Sequence, residues 1–458
     1  MMTLVFYIII LFYLKIDKQK KGIMTFRMKD TTAGKTPCYL SQRASRALIL
    51  ALAAGFLASL TACAFVASGS AILWTDRPEF AFYAEYFNAD QDKYKIEVRY
   101  FENVAQKLIE PGEYPDIVAA SWLKNTSTRS LFKSLDGVFS QDGLGRPSFY
   151  PRLLSLGFID SHQYLLPVCF NIPAIIFARE TSQEPSNPFT IEMQEIKERG
   201  KAYNIETKGI YTRMGFSPLS NDDFLFIAAT LFGAGFREAA PIAWDPQVLE
   251  QTVTWIQKWI SEVNTSIQME DDFAFKYFYD PPDKLVNSGR ILYAYLGSSG
   301  FFTLPEERRT KLDFRWLASK ELIPLDEWST YYGIHKKAKA GKAAVAFTKW
   351  FFRPETQRLL LEAAKSKRLL ETSFGIAGGF SAVRTVTEQI FPLFYPDLLG
   401  HIPPDNFLSP ANILPRNWMN IKERVILPYL RERIRHSSRE EVRPLERRIT
   451  DWYRLNKE

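Results

Sequence analysis

The stretch that decides the fold opens Ala71-Ile72-Leu73-Trp74-Thr75-Asp76-Arg77-Pro78-Glu79 and runs on to Ala120. Ala71 to Trp74 is a brief apolar run with strand character. Thr75 or Asp76 can cap a following helix, and Pro78 suits its first turn, where the missing amide proton costs nothing. Phe80, Phe82, Tyr83, Tyr86 and Phe87 then recur at helical spacing. Residues 94–101 alternate, with Ile96, Val98 and Tyr100 in phase, and read as a strand. A short helical stretch around Ala105 to Leu108 leads to Tyr114-Pro115-Asp116-Ile117-Val118-Ala119-Ala120, a buried-strand run. Strand, helix, strand, helix, strand predicts an α/β layer with a parallel sheet.

Working outward, residues 164–177 are apolar and broken by Pro167 and Pro173, as strands crossing between two lobes would be. From about 179 to 328 the pattern is mainly helical. Residues 218–234 are apolar, with Asn221-Asp222-Asp223 as the cap, and Leu249, Val253, Ile256 and Ile260 line one face of a helix over 246–263. Strands are expected at 291–296, ending at Gly297-Ser298, and at 312–317. Helices are expected over 338–352 and onward from Pro354. Residues 421–455 read as a surface helix pair interrupted near Pro428 or Pro444.

Upstream, the first 62 residues read as targeting sequence. An apolar run from Ala47 to Ala62 follows Arg43 and Arg46 and ends Leu60-Thr61-Ala62-Cys63. A basic region, an apolar region and small residues before a cut describe a secretory signal. The terminal four residues resemble the lipobox of bacterial lipoproteins, which implies lipidation at Cys63 and a membrane anchor on the extracytoplasmic side of the cell envelope. Residues 63–70 then form a tether. The chain of 458 residues carries a formal charge of +7, yet nine basic and two acidic residues precede Cys63. The remaining body is neutral, which argues against nucleic acid as a partner. Three cysteines exclude a disulfide scaffold, and four scattered histidines offer no metal centre. Cys169 reads as a small core residue.

Five segments, in this order, resemble the extracellular solute-binding proteins of ABC importers, the branch that includes maltose- and oligosaccharide-binding proteins. They are Leu73–Asp76 with the helix to Phe87-Asn88; Tyr114–Val118; Tyr164–Val168 with Asn171; Asn287–Arg290 with the strand to Gly297-Ser298; and Tyr332-Gly333-Ile334 with Ala343–Phe347, Trp350 and Arg353-Pro354-Glu355-Thr356-Gln357. The resemblance implies a two-lobed α/β fold of the periplasmic-binding-protein type (type II), with hinge-connected lobes and a ligand cleft. Lobe 1 is drawn from 71–177 plus 331–386, and lobe 2 from 178–330 plus 387–458. It also implies a monomer without a cofactor that hands a small solute, a sugar, to an ABC permease. The bulky Leu325–Tyr331 departs from the small residues usual at the second hinge.

Open α/β sheets place ligands beyond the carboxyl ends of their strands. That rule nominates Trp74, Thr75, Asp76 and Glu79; Ser121 and Trp122; Asn171; Asp222 and Asp223; Gly297 and Ser298; and Trp328 and Tyr331. Aromatic faces stack on sugar C–H patches, and carboxylates and amides take hydroxyls. Trp74 and Trp122 suit a core equally well, and Asp76, Asp222 and Asp223 suit helix caps. A surface lipoprotein serving adhesion or sensing, or a lipid-anchored glycan hydrolase, are the competing readings. No Gly-x-Ser-x-Gly or His-Glu-x-x-His motif supports an enzyme.

Overall fold

The computed structural model describes residues 69–139, 144–180, 184–240 and 242–456. The leader, Cys63 and the tether up to residue 68 lie outside the described residues. Two sheets organise the body. The first contains β1 (Ser70–Thr75), β2 (Lys95–Tyr100), β3 (Ile117–Ala120) and β4 (Leu166–Phe170). The second holds β5 (Pro173–Ala178), β6 (Thr190–Glu192), β7 (Ala294–Gly297) and β8 (Leu312–Ala318). The chain then returns to the first sheet with β9 (Thr330–Ile334) and β10 (Phe380–Ser381). Strand order is β10-β4-β9-β3-β1-β2 in the first and β7-β5-β8-β6 in the second. β1 is parallel to both β2 and β3, as the opening stretch predicts, whereas β9 runs antiparallel to β3 and β4.

This is a two-lobed α/β fold, and the chain crosses between its sheets more than once. Phe170 ends β4 and Pro173 begins β5, so the first crossing is Asn171-Ile172. β5 therefore belongs wholly to the second sheet, and the crossing precedes the boundary drawn at residue 177. The second crossing leaves Ala318 and enters β9 at Thr330. Along it, Ile323 and Pro324 pair with Leu408 and Ser409 of the returning chain. The Asp326 amide donates to the Asn171 carbonyl at 2.8 Å, so the first two crossings are bonded to each other.

Helices cover the sheets with aromatic faces. In α1 (Glu79–Asp90), Phe80, Tyr83, Ala84 and Phe87 are buried. The Phe80, Tyr83 and Phe87 rings meet Phe347 and Phe351, on a helix later in the chain, at centroid distances of 5.2–5.4 Å. α2 (Asp222–Phe232) and α3 (Pro246–Val263) carry the second lobe, with Phe224 and Trp259 edge to face at 6.1 Å. α4 (Ile267–Lys276), α5 (Gly341–Phe351) and α6 (Pro354–Ser366) follow in chain order.

The tail departs from expectation. Trp418–Ile421, a wider turn over Lys422–Ile426 and α7 (Leu427–Arg435) form one helical run that passes through Pro428. An i→i+5 turn just before proline removes the carbonyl clash that breaks an ordinary helix. Nor is this run a surface feature: Trp418, Ile421, Ile426 and Leu430 are buried. Pro444 precedes the last helix, Leu445–Leu455, so one of the two prolines does mark an interruption. Likewise, residues 291–296 give only β7, and Ser298 starts a short helix to Phe302.

Candidate functional site

The loop after β1 lies against the second crossing. Trp74 is 2% exposed and packs on Phe101 at 4.9 Å, so its ring serves the core. Thr75 is buried; its hydroxyl donates to the Ala119 carbonyl at 2.6 Å and accepts the Arg77 amide at 3.0 Å. Asp76 accepts the Ser121 amide at 2.9 Å, and its other oxygen is buried without a hydrogen bond. Burial raises the Asp76 pKa above the usual carboxylate value, against the pull of Arg77. Asp76 does not cap α1: Pro78 occupies the cap position and Thr75 holds the turn. Glu79 accepts the Ser373 hydroxyl at 2.5 Å with one oxygen and buries the other unpaired.

Arg77, inside the decisive stretch but not nominated from it, joins this loop to the second crossing. Its guanidinium donates to the Thr330 hydroxyl at 2.9 Å, the Ser121 hydroxyl at 3.2 Å and the Trp328 carbonyl at 2.8 Å. The fork geometry of arginine allows three acceptors on separate segments to be held at once.

Ser121 and Trp122 follow β3. Trp122 has φ 60°, a left-handed backbone that costs a bulky residue on the order of 1 kcal/mol or more. This backbone sets its ring 5.3 Å from that of Trp328. The bulk at the second crossing thus has two explanations. Trp328 faces Trp122, whereas Tyr331 is buried in β9 with its hydroxyl donating to the Leu153 carbonyl at 3.2 Å. The Lys124 ammonium lies 4.5 Å from the Tyr331 ring centroid, and burial lowers its pKa to about 8.

Three nominated residues secure the first crossing. The Asn171 amide donates to the Gly378 carbonyl at 2.9 Å and accepts the Ser298 hydroxyl at 2.7 Å. The Ser298 amide donates to the Ile172 carbonyl at 2.9 Å, and Gly297 pairs with Pro173. Their polar groups are engaged in holding the backbone. In the second lobe, Asn221 is the cap of α2, accepting the amides of Asp223 and Phe224 at 2.9 and 3.3 Å. Asp222 and Asp223 instead sit in the first turn, where Asp222 pairs with Arg431 at 2.7 Å and Asp223 with Lys422 at 3.0 Å.

Trp122, Trp328, Asp223, Glu327, Trp418 and Lys422 together line a cavity of ≈ 210 Å³. Trp122, Asp222, Asp223 and Trp328 come together there; Trp74, Thr75, Asp76, Glu79, Ser121, Asn171, Gly297, Ser298 and Tyr331 do not line it. Lys422 contacts Glu327 as well as Asp223. Burial opposes the Lys422 charge, but Glu327, Asp223 and Asp326 outweigh it and raise its pKa. Asp326 is pushed up to about 7, first by burial and then by the neighbouring Glu327. Trp418 and Lys422 escaped sequence reading because they lie far along the chain from Trp122 and Trp328, whereas Asp326 and Glu327 directly precede the nominated Trp328 in a stretch read only for its bulk. Among the described residues, no group of three His, Cys, Asp or Glu is placed to hold a metal ion.

Beside the cavity the two lobes touch. The Thr126 amide and hydroxyl donate to Glu238 at 3.0 and 2.9 Å. Arg416 donates to Gln106 at 2.6 Å and accepts Asn103 at 3.2 Å on its carbonyl.

No family model matches the chain, and no curated protein matches its sequence. Solved structures do. The ABC substrate-binding protein Lmo0181 from Listeria monocytogenes, in complex with cycloalternan, is 12% identical with a TM-score of 0.59, over 85% of this chain and 99% of that one. The cyclic α-maltosyl-1,6-maltose binding protein from Arthrobacter globiformis is 15% identical with a TM-score of 0.55, over 83% and 96%. The Thermus thermophilus maltotriose binding protein, bound with maltotriose, is 15% identical with a TM-score of 0.51, over 83% and 97%. At these identities the likeness is one of fold, and it spans nearly the full length of each neighbour.

Proposed function

We propose that this chain captures a carbohydrate between its two lobes and presents it, unaltered, to an ABC permease. The observation that carries this reading is the Trp122–Trp328 pair, ring centroids 5.3 Å apart, which lines one cavity together with Asp223, Glu327 and Lys422. Indole faces match the C–H patches of a pyranose, and the charged groups match its hydroxyls. The sugars bound by the structural neighbours support the same class. At ≈ 210 Å³ the cavity is below the roughly 300–1,000 Å³ of common ligand sites, as suits lobes closed on each other. Bending at Asn171-Ile172 and along 319–329 would admit a longer glycan, with ligand favouring the closed form. The lipidated Cys63 would keep the body at the extracytoplasmic face of a membrane, near its permease. Among the described residues no helix is long and apolar enough to cross one.

Titration calorimetry with maltodextrins, manno-oligosaccharides and cyclic glucans tests the reading. Trp122→Ala combined with Trp328→Ala is expected to weaken binding about 100-fold, the loss of two stacking anchors. Unchanged affinity would remove the cavity from the function. Recovery of the sugar intact separates capture from glycan hydrolysis, and loss of uptake on deleting the gene separates transport from adhesion or sensing. Labelling with a radioactive fatty acid, lost in Cys63→Ser, tests the anchor.

A further inference from the structure

Three of the four most exposed large apolar side chains among the described residues, all of them aromatic, lie together and outside the cavity lining. Phe275, Phe278 and Tyr279 are 85%, 75% and 93% exposed, at the end of α4 and in the loop that stops at Pro281-Pro282. The same segment places Phe273 in a small apolar cluster with Tyr211 and Met214, with Tyr277 packed against it. The neighbouring hairpin of Ile205–Thr207 and Ile210–Arg213 adds exposed Ile205 and Ile210. Folding gains nothing from three free aromatic rings in five residues, and patches of this kind mark interaction sites.

The charges around them indicate the partner. Lys276 and Arg290 lie over the Tyr277 ring at 5.3 and 5.7 Å, and Arg213 lies over Tyr203 at 6.0 Å. Lys208 stands at the hairpin turn with a left-handed φ of 55°. Among the described residues, none of these four exposed cations makes an ion pair, whereas Asp271 and Asp283 nearby are taken by Arg435 and Arg308. Glu206, Asp272 and Asp280 are the remaining carboxylates of this surface, and Asp272 accepts a hydrogen bond from Gln268.

We propose that this loop is a membrane-contacting surface, its aromatic tip entering the headgroup layer of an anionic bilayer while Lys276, Arg290 and Arg213 meet lipid phosphates. The near-complete exposure of the rings favours lipid over protein. Anchor residues of protein interfaces fill formed pockets, whereas a protruding aromatic tip with a cationic base suits a yielding, negatively charged interface. The contact is separate from sugar capture and from acylation of Cys63.

Hydrogen exchange on the full chain, held in detergent or reconstituted into vesicles, tests this. The expected result is severalfold slower exchange over 273–281 on phosphatidylglycerol–phosphatidylcholine vesicles than in detergent, with a weaker effect on pure phosphatidylcholine. Lys276→Glu with Arg290→Glu should abolish the difference between the two lipids, and Phe275→Ala with Phe278→Ala should abolish the slowing. Both variants should keep their melting temperature and ligand affinity. Equal exchange in detergent and on both vesicles would overturn the proposal. So would equal slowing on both lipids, or slowing in detergent that grows with protein concentration, which marks self-association.

Discussion

The two crossings between the sheets are both rich in polar groups, yet they use them differently. At the first, Asn171 and Ser298 spend their hydrogen-bonding capacity on each other and on the backbone of Ile172 and Gly378. At the second, Glu327 and Trp328 line the cavity, and Asp326 beside them is driven toward its neutral form. A crossing whose groups bond only each other and the backbone acts as mechanical stock; one whose side chains line a cavity can meet a ligand. Residue type alone does not separate the two, because an asparagine and a glutamate are equally plausible sugar contacts until their partners are counted.

Arg77→Ala should break the comparison most severely. It unties the second crossing and leaves Asp76 buried without its cationic neighbour, 3.7 Å away. A loss of about 3–5 kcal/mol in urea unfolding is expected. Next comes Asp326. Its folded pKa of about 7 lies above the unfolded value, so the native state binds the extra proton. Stability is therefore full below about pH 4 and falls as pH rises to about 7, by on the order of a few kcal/mol. Asp326→Asn, which keeps an acceptor for the Trp328 amide, should flatten that slope; an unchanged profile would place the titration elsewhere. Asn171→Ala should cost about 1–3 kcal/mol through the Ser298 and Gly378 groups it strands, with the same loss at every pH. The smallest effect is expected at the exposed contact between lobes. Glu238→Ala should leave unfolding unchanged and weaken affinity for the proposed sugar only a few-fold, through the proposed closed form, a shift of about 1 kcal/mol or less.

The same comparison shows how far the amino-acid order could be read. The parallel β2-β1-β3 unit was legible, because apolar runs and caps alternate over the opening fifty residues. Trp74 was ambiguous for a physical reason. β1 is covered on both faces, so Leu73, Trp74 and Thr75 are all buried and no alternation distinguishes ring from rim. Pro428 misled because a widened turn can carry proline through a helix, and a sequence pattern does not announce such turns. Of the Asn221-Asp222-Asp223 cap read for α2, Asn221 does the capping and the two aspartates fall in the first turn. Lys422 and Trp418 were invisible as cavity residues, since only the returning chain brings them against Asp223 and Glu327.

The left-handed backbone at Trp122 limits how this cavity can be re-engineered. A saturation library at that position will be filtered twice, once by what the side chain offers a guest and once by whether it tolerates the twist beneath it. Glycine and asparagine will pass the second filter easily and the first poorly, while valine and isoleucine will be rejected before any sugar is added. Aromatic replacements carry nearly the same conformational burden as tryptophan, so phenylalanine and tyrosine are the substitutions through which a new preference can be selected.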